Sequence, residues 1–351
     1  MTAITKKLTA FVKSAAKFFY FYPVRFGVRL LPLGAAYTIG WLMGAAAFYL
    51  RGRKRKAVEQ EARLLFPDTA DKDIDSMVRM TFTNLFQKEI ETFFYPAMNE
   101  DNISGIIRIE GIGHLNEAVA SGKGTMLVFA HFGANQMVMP AIGYRGFKMS
   151  QLSAPATVWT EMLGNGQNLI ERKTMEIKWR CEQSLPVRHI NIFGSLKEAF
   201  LCLRRNEILG VAIDGGGGRE RVSVEFLGRK AFFSTGSAEI ALRTGCTVLP
   251  TFVLRNAKGY NTMIIEKPLP CPDVRPKDRQ GRQRANADFI RAFVQRLQPY
   301  VLRYPCHYLD FLSLRTFMAG LGDPGFFIGE QPAPVDDVVN MDNLLCQKKV
   351  G

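Results

Sequence analysis

The sequence predicts an α/β fold in which a mainly parallel sheet is flanked by helices and preceded by an N-terminal helical segment. From about residue 105, short apolar runs alternate with amphipathic segments, which is the pattern of βαβ units. The chain has 351 residues, 47% of them hydrophobic and 22% charged, and is therefore long enough to bury the core of a large domain. Its net charge of +14 is unusual, and most of the excess positive charge lies in the N-terminal residues 1–56.

The elements follow in order along the chain. Helices are predicted over Ala57–Phe66 and Asp73–Phe94, with a break at Pro67. The apolar runs predict strands over Ile106–Ile109, Met126–Ala130, Met149–Leu152, Ile208–Ile213, Val248–Leu254 and Thr262–Glu266. The amphipathic segments between them predict helices over Leu115–Ala120, Asn135–Ile142, Val158–Trp179, Leu196–Arg204, Thr235–Thr244 and Ala285–Leu302.

Residues 1–56 contain eleven Lys and Arg residues and no Asp or Glu. Such a basic arm is typical of a protein that binds nucleic acid or an anionic membrane surface. Here the charges flank the aromatic run Phe18–Tyr22 and the uncharged stretch Leu30–Leu50. Because arms that bind nucleic acid are seldom so apolar, the pattern favours a membrane-associated segment and no nucleic-acid partner.

The stretch Leu30–Leu50 is 21 residues long, just enough to cross a bilayer, but it contains Pro32 and three glycines. Basic residues lie on both sides in similar number, so the positive-inside rule selects no orientation. An in-plane or re-entrant helix with both ends in the cytoplasm explains the symmetric flanks; a single span and a buried helix are the alternatives. A cleaved signal peptide fits poorly because basic sequence follows the apolar run.

Three regions are expected: a basic membrane-anchoring segment over 1–56, an α/β domain over 57–320, and a mobile tail over 321–351. The tail contains Pro324, Pro332 and Pro334, several acidic residues and little periodicity.

The six cysteines are scattered without C-x-x-C spacing, and the four histidines lack metal-ligand spacing. The sequence therefore predicts reduced cytoplasmic thiols, no metal and no cofactor.

His131 comes directly after the predicted strand Met126–Ala130. Reacting groups in open α/β sheets gather at the carboxyl ends of strands, where a histidine can act as general base toward a hydroxyl or an amine. The alternative is a histidine whose hydrogen bonds are satisfied by the local backbone.

A second candidate region lies around the predicted helix Thr235–Thr244. Thr235 or Ser237 is in position to cap that helix, whose free N–H groups would hold a phosphate. Nearby cations are candidates for contact with a phosphorylated donor or an acidic carrier protein, although a solvated basic face is the alternative: Arg229, Lys230 and Arg243.

Four segments together resemble the lipid A biosynthesis lauroyl/myristoyl acyltransferases, a family within the lysophospholipid acyltransferase superfamily. They are His131 at a strand end, the glycine turn that begins at Asp214, the block Phe232–Pro250 and the closing run Tyr304–Leu309. The resemblance extends from about residue 25 to about residue 315. It implies transfer of an acyl chain from acyl carrier protein or acyl-CoA to a lipid acceptor such as a lipid A precursor, on the cytoplasmic face of a bacterial inner membrane.

The family motif places an Asp or Glu five positions after the histidine, where this chain has Gln136. A glutamine can accept a hydrogen bond from the imidazole but cannot balance its positive charge. Three interpretations stay open: a slow or lost activity, a carboxylate supplied from elsewhere, by Asp214 or Glu220, and an acceptor that needs less assistance.

The resemblance also implies an active-site arginine, for which Arg188 is the nearest candidate, and an acidic position that Asp214 matches. For Asp214, a turn-forming role before the glycines is the alternative.

Two other functions compete with acyl transfer. The chain could be a catalytically weak relative that binds lipid or acyl carrier protein, or it could be an α/β hydrolase or thioesterase. The absence of a Gly-x-Ser-x-Gly elbow disfavours the hydrolase.

Overall fold

The computed structural model describes residue 15 and residues 18–154, 169–215, 220–256, 260–270, 278–320 and 325–327. Nine strands lie in this part of the chain, and seven of them form one mixed, mostly parallel sheet of order β1-β9-β8-β2-β5-β3-β4. The strands are β1 Ile107–Glu110, β2 Thr125–Phe129, β3 Met149–Ser153, β4 Val187–Asn191, β5 Ile208–Ala212, β6 Arg221–Phe226, β7 Arg229–Ser234, β8 Thr247–Arg255 and β9 Asn261–Ile265. The predicted fold class is therefore confirmed.

Strands β8, β2, β5, β3 and β4 run parallel, whereas β9 is antiparallel to β8, and β1 is parallel to β9. The five parallel strands thus end at one common edge, which is called the carboxyl edge below. All five residues of β2 are buried, as expected for a central strand covered on both faces. Two large apolar clusters pack on the two faces of the sheet, since neighbouring residues of β2 such as Leu127 and Val128 belong to different clusters.

The helices pack on both faces of the sheet. They are α1 Arg25–Arg29, α2 Leu33–Leu50, α3 Gly52–Leu65, α4 Asp71–Phe94, α5 Ile103–Ile106, α6 Ile112–Ala120, α7 Val138–Gly143, α8 Leu169–Gln183, α9 Lys197–Arg204, α10 Gly236–Thr244, α11 Arg279–Arg303 and α12 Leu309–Gly320. A π-helical turn covers Tyr20–Val24, and 3₁₀ turns cover Tyr95–Ala97, Asn135–Met137 and Pro305–His307.

All six predicted strands are confirmed, with ends that differ by no more than one residue. The structure adds three strands. Strand β4 carries a polar Val-Arg-His-Ile-Asn sequence that hides its apolar signal. Strands β6 and β7, for which no strand was predicted from the sequence, form a hairpin whose turn residues Leu227 and Gly228 have φ of 55° and 72°. Two positive φ angles are typical of a type I′ hairpin turn, and a leucine gives no sequence signal for it.

The predicted helices are also found, with shifted ends. Helices α3, α6 and α11 begin before the predicted residues, and the Asn135–Ile142 prediction becomes a 3₁₀ turn followed by α7. Of the predicted helix Val158–Trp179, α8 covers the part from Leu169 onward, and residues 155–168 lie outside the described residues.

Helix α2 packs closely on α4 along a face that contains two glycines. A Cβ on Gly44 would lie 2.6 Å from Thr83 Cα, and one on Gly40 would lie 3.2 Å from Ile90 Cγ1. The Tyr37 hydroxyl on the same face donates a hydrogen bond to Glu91 Oε1 at 2.8 Å. One side of the apolar helix α2 therefore packs against the rest of the protein.

Helix α2 is also the one helix, within the described residues, that is long and apolar enough to cross a membrane. One third of this 18-residue span is buried inside the protein, and a core helix passes the same test of length and composition. The opposite side is exposed at Trp41, Leu42, Tyr49 and Leu50. Length and hydropathy alone therefore do not decide between a spanning and an in-plane helix.

A buried ion pair joins α4 to the carboxyl end of β8. Arg255 Nη2 lies 2.7 Å from Glu91 Oε2, and the two side chains are 1% and 2% exposed. Glu91 Oε1 accepts hydrogen bonds from Asn261 Nδ2 at 2.7 Å and from Tyr37. The pair ties α2, α4, β8 and β9 together beside the carboxyl edge of the sheet.

Replacing Glu91 is expected to destabilise the fold strongly. Glu91→Gln leaves the Arg255 guanidinium buried without its counter-charge, which costs about 3–5 kcal/mol of unfolding free energy. Glu59→Gln is the matched control, since it breaks a surface pair with Arg63 worth about 1 kcal/mol or less. Denaturant unfolding of both variants in one detergent measures the difference; equal midpoints would contradict the expectation.

Part of the predicted mobile tail packs on the domain. Phe326 and Phe327 are buried, and Phe326 O accepts a 2.7 Å hydrogen bond from the Phe232 N–H in β7. Phe327 also forms a bridge with Ala231. The structure therefore places residues 325–327 of the predicted tail against the domain, where two aromatic rings fill apolar surface beside the hairpin; the mobility of residues 321–351 stays a prediction. The remaining residues from 328 onward lie outside the described part.

Candidate active site

Two loops that leave neighbouring strands meet at the carboxyl edge. Strands β2 and β5 are paired in parallel with Phe129 opposite Ala212. His131 and Asp214 each follow two residues after those partners. The Ile213 N–H also donates to Phe129 O at 2.9 Å, which continues the ladder past the strand ends. The register of the sheet therefore brings together a histidine and an aspartate that are 83 positions apart.

The imidazole of His131 and the carboxylate of Asp214 form a directly bonded pair. His131 Nδ1 lies 2.7 Å from Asp214 Oδ1, and the His131 backbone N–H donates to Asp214 Oδ2 at 2.7 Å. The His131 side chain is 39% exposed, whereas that of Asp214 is fully buried. A carboxylate acceptor favours the tautomer with the proton on Nδ1, which leaves Nε2 unprotonated and able to accept a proton.

Aromatic packing fixes the plane of the imidazole. The Phe311 ring stacks on His131 with centroids 4.8 Å apart and an interplanar angle of 1°. Phe311 belongs to α12, so this helix and the β2 loop together hold the ring. A fixed plane and a fixed Nδ1 partner give Nε2 a fixed direction, as a general base requires.

The loop after His131 is held by backbone hydrogen bonds. Gly133 has φ of 60°, and a Cβ on it would lie 2.0 Å from Val253 O, so a glycine is required there. The Gly133 N–H donates to His307 O at 2.9 Å, and the Ala134 N–H donates to Val253 O at 3.1 Å. The loop thus rests on β8 and on the 3₁₀ turn Pro305–His307.

His307 is a structural histidine. It is buried, and its Nε2 accepts the Arg255 N–H at 3.1 Å. Burial, with a further contribution from the Arg255 charge, lowers the pKa of His307 to about 4. The imidazole is therefore neutral near pH 7, as an acceptor of a backbone N–H has to be.

Gln136 does not complete the pair. It lies half-buried in the 3₁₀ turn Asn135–Met137, and within the described part of the chain its side chain makes no hydrogen bond to His131. Asp214 holds the imidazole nitrogen that an acid after His131 was expected to hold. Of the three interpretations of Gln136, the geometry agrees with a carboxylate supplied from elsewhere.

The place of Arg188 in the sheet does not agree with a role at this site. The strand register gives the position of Arg188 along the sheet. Arg188 of β4 pairs with Ser150 of β3, Ser150 pairs with Leu209 of β5, and Leu209 pairs with Met126 of β2. Arg188 is therefore level with the start of β2, and β4 is separated from β2 by two strands. Its guanidinium lies 3.7 Å from the Glu198 carboxylate and is exposed. Sequence order suggested proximity, whereas the strand register places Arg188 toward the opposite edge.

The three cations near α10 have different surroundings. Arg229 Nη1 lies 3.6 Å from the buried Glu61, and its guanidinium lies 3.7 Å over the Phe327 ring. Arg229 therefore has a structural role that the sequence did not predict. Arg243 forms an exposed pair with Glu239 at 3.1 Å, and Lys230 is exposed on β7. These two side chains remain accessible to an anionic partner.

The predicted side-chain cap of α10 is not found among the described residues. Thr235 occupies the N-cap position, but its hydroxyl donates to Glu220 O at 3.3 Å and makes no cap hydrogen bond. Ser237 is buried, and its hydroxyl has no hydrogen-bond partner among the described residues. The helix N-terminus is present, but neither side chain caps it.

Sequence reasoning missed two residues of the site. The Tyr308 hydroxyl donates to Asp214 Oδ2 at 2.9 Å, and Phe311 stacks on His131. Both lie far along the chain from His131, and an aromatic residue after a turn carries no local signal of such a contact. Among the described residues, no group of three or more His, Cys, Asp or Glu side chains is arranged to hold a metal ion.

Comparison with known proteins gives two results. The sequence model of the family described as "Bacterial lipid A biosynthesis acyltransferase" matches residues 5–302. The chain is also similar to the phosphatidylinositol mannoside acyltransferases of two strains of Mycobacterium tuberculosis, at 27% and 26% identity over 180 residues. Each alignment covers 50% of this chain and 53% of the relative, so the chain spans about half the length of the curated relatives it matches.

Proposed function

Since the chain belongs to the bacterial lipid A biosynthesis acyltransferase family, we propose that it transfers a fatty acyl chain from a thioester to a lipid acceptor, with His131 as general base. The observation that carries this proposal is the His131–Asp214 pair at the carboxyl edge of the sheet. It combines a partly exposed imidazole with a fully buried carboxylate 2.7 Å away. The similarity to mycobacterial acyltransferases supports the same reaction class.

The proposed reaction begins with proton removal. His131 Nε2 takes the proton of an acceptor hydroxyl while the hydroxyl oxygen forms a bond to the thioester carbonyl carbon. The carbonyl π electrons move to oxygen and give a tetrahedral oxyanion. Asp214 stabilises the imidazolium, because its buried carboxylate accepts the Nδ1 proton in a charge-assisted hydrogen bond.

Collapse of this intermediate completes the transfer. The carbonyl re-forms, the carbon–sulfur bond breaks, and the electron pair leaves with the sulfur. The imidazolium returns its proton to the thiolate, so the products are an acylated lipid and a free thiol, and the enzyme regains its starting state. An amine acceptor would follow the same steps and give an amide.

The donor is proposed to be acyl carrier protein or acyl-CoA. Both carry a phosphorylated arm, and acyl carrier protein is acidic, so exposed cations on the α/β domain would favour either donor. Lys230 and Arg243 are the exposed cations proposed to meet it. The proposed acceptor is a lipid that carries a free hydroxyl or amine, such as a lipid A precursor.

The proposed location is the cytoplasmic face of a bacterial inner membrane, with α2 lying in the plane of the bilayer. The N-terminal apolar surface consists of the exposed residues Phe18, Phe19, Phe26, Leu30, Trp41, Leu42, Tyr49 and Leu50. Basic residues surround it without any Asp or Glu in residues 1–56. The opposite face of α2 is bound to α4 through Gly44 and Tyr37, so lipid would surround only part of this helix.

Charges placed on this surface are expected to weaken membrane binding. Trp41→Glu removes a side chain whose burial in lipid contributes about 1.5–3 kcal/mol, so the partition constant should fall about 10- to 100-fold. Leu302→Glu, an exposed apolar position on α11, is the control and should bind like the wild type. Co-sedimentation with vesicles that contain phosphatidylglycerol measures both; equal binding of the two variants would contradict the proposed surface.

The transfer reaction is tested with the full chain in vesicles of bacterial lipid extract. Labelled acyl-CoA and labelled acyl carrier protein thioesters are supplied in parallel, and the label is followed into lipid. Label in an alkali-labile lipid supports transfer to a hydroxyl, and label in an alkali-stable lipid supports transfer to an amine. Tight thioester binding with no transfer from either donor, or release of free fatty acid only, would overturn the proposal.

A further inference from the structure

Tyr308 places its hydroxyl against the carboxylate that holds the imidazole. It follows the 3₁₀ turn Pro305–His307 and is completely buried. Its hydroxyl donates to Asp214 Oδ2 at 2.9 Å. The steps proposed above for acyl transfer do not use this residue.

The two oxygens of Asp214 have separate partners. Oδ1 contacts His131 Nδ1, whereas Oδ2 accepts the His131 backbone N–H and the Tyr308 hydroxyl. Rotation of the carboxylate would break all three contacts, and with the side chain fully buried no bulk water can replace them. Among the described residues, Tyr308 is the one partner of the carboxylate that lies outside the β2 loop.

The position of Tyr308 is itself fixed from several sides. Its N–H donates to Pro305 O at 2.9 Å, and its carbonyl accepts the Leu312 N–H at 3.0 Å. Its ring lies 5.1 Å from that of Phe311 and 6.0 Å from that of Phe226. The same turn holds the β2 loop through the bond from Gly133 to His307, so the hydroxyl and the imidazole share one support.

Burial and the charge of Asp214 keep this hydroxyl protonated. Among the described residues, the charged groups near it are Asp214, which raises its pKa, and Arg315 of α12, which lowers it, with His131 beyond the carboxylate. Burial, together with the negative charge of Asp214, raises the pKa of the Tyr308 hydroxyl well above its ordinary value. Tyr308 therefore remains a hydrogen-bond donor across the pH range of any ordinary assay.

We propose that Tyr308 is a positioning residue, whose hydroxyl fixes the orientation of the Asp214 carboxylate and, through it, the direction of His131 Nε2. This inference rests on the proposed acyl transfer. Tyr308 does not touch the reacting atoms; it acts through Asp214, and its removal would let the carboxylate turn away from the imidazole during proton transfer.

Tyr308→Phe tests the proposal because it keeps the ring and removes only the hydroxyl. A hydrogen bond to a charged group that is needed in the transition state predicts a fall in kcat of about 10- to 100-fold with little change in KM. The acid limb of the pH–rate profile should also move to lower pH. When the carboxylate turns away, the imidazolium loses the negative charge that stabilises it, so its protonated form is less favoured.

Tyr300→Phe is the matched control. The Tyr300 hydroxyl also donates to a carboxylate, Glu266 Oε1 at 2.8 Å, but this pair lies outside the candidate site. The control should keep the wild-type kcat, KM and acid limb. An unchanged kcat and an unmoved acid limb in Tyr308→Phe would overturn the proposal, as would a loss of activity explained entirely by a smaller folded fraction.

A measurement without turnover separates this inference from the proposed function. Nitrogen NMR of the His131 ring reports its tautomer and its titration midpoint in the full chain. The wild type should carry its proton on Nδ1 at neutral pH, and the imidazole of Tyr308→Phe should titrate at lower pH than that of the wild type, with or without acyl transfer. Identical titrations in the two proteins would overturn the positioning role, whereas a wild type inactive toward both thioesters would overturn only the proposed function.

Discussion

Asp214→Asn is expected to lower the rate of acyl transfer by about 10⁴-fold, the loss that the same exchange causes in the serine-protease triad. An asparagine must satisfy the Tyr308 hydroxyl and the His131 backbone N–H with its oxygen, because both are donors to Oδ2. Its NH₂ group then faces His131 Nδ1. The imidazole would have to accept there and carry its proton on Nε2, where it could not take one from the acceptor.

Gln136→Glu tests whether the carboxylate that the reaction needs is that of Asp214 or one at position 136. It restores a carboxylate at the position suggested by resemblance, without changing Asp214. Since Asp214 already occupies the His131 ring nitrogen, the rate of Gln136→Glu should stay close to that of the wild type. Full activity of Asp214→Asn, or a large gain in Gln136→Glu, would show that the required acid belongs at position 136. Both variants are measured with labelled acyl thioester and lipid vesicles.

His131→Ala should cause a loss at least as large as that of Asp214→Asn. Asp214 acts through the imidazole, so removal of the imidazole removes both contributions; for comparable bases in hydrolases the loss is about 10⁴- to 10⁶-fold in kcat. Binding of the thioester should change little, because the proposed role of His131 lies in proton transfer. Single-turnover rates together with equilibrium binding of the thioester separate the two effects.

The double variant sharpens this expectation. If the two residues form one unit, His131→Ala combined with Asp214→Asn should be no slower than His131→Ala alone. His114→Ala, a half-buried histidine on α6 outside the site, should retain wild-type activity. Additive losses in the double variant would mean that Asp214 contributes independently of the imidazole, contrary to the 2.7 Å contact between them.

Much of the fold was predictable because its signals are local. Six apolar runs gave six strands with ends correct to within one residue, and the signal is strongest in a central strand such as β2, which is covered on both faces and is apolar throughout Met126–Phe129. The three strands that escaped prediction lack such runs. Strand β4 lies at an edge of the seven-stranded sheet, and β6 and β7 form a separate two-stranded sheet, so none of the three needs two apolar faces.

The candidate site divides in the same way. His131 was predictable because a histidine directly after a central strand is a local pattern with a chemical meaning. Arg188 was placed at the site by its order in the sequence, but the register of β3 and β4 puts it toward the other edge. Arg229, a predicted contact for a phosphorylated donor or an acidic carrier protein, forms a pair with the buried Glu61. The positions of Arg188 and Arg229 both depend on partners that are distant in sequence.

The amino-acid sequence by itself determined the α/β class, the strand that ends at His131, and the basic, apolar character of the N-terminus. Only the tertiary structure decided that Asp214 supplies the carboxylate, that Tyr308 holds it, and that α2 gives one face to α4. The physical reason is the sequence separation of the residues involved. Apolar periodicity is a pattern among residues that are near neighbours along the chain. The contacts of Asp214 arise from the pairing of β2 with β5 and from the seating of the Pro305–His307 turn, which bring together side chains 83 and 94 positions apart.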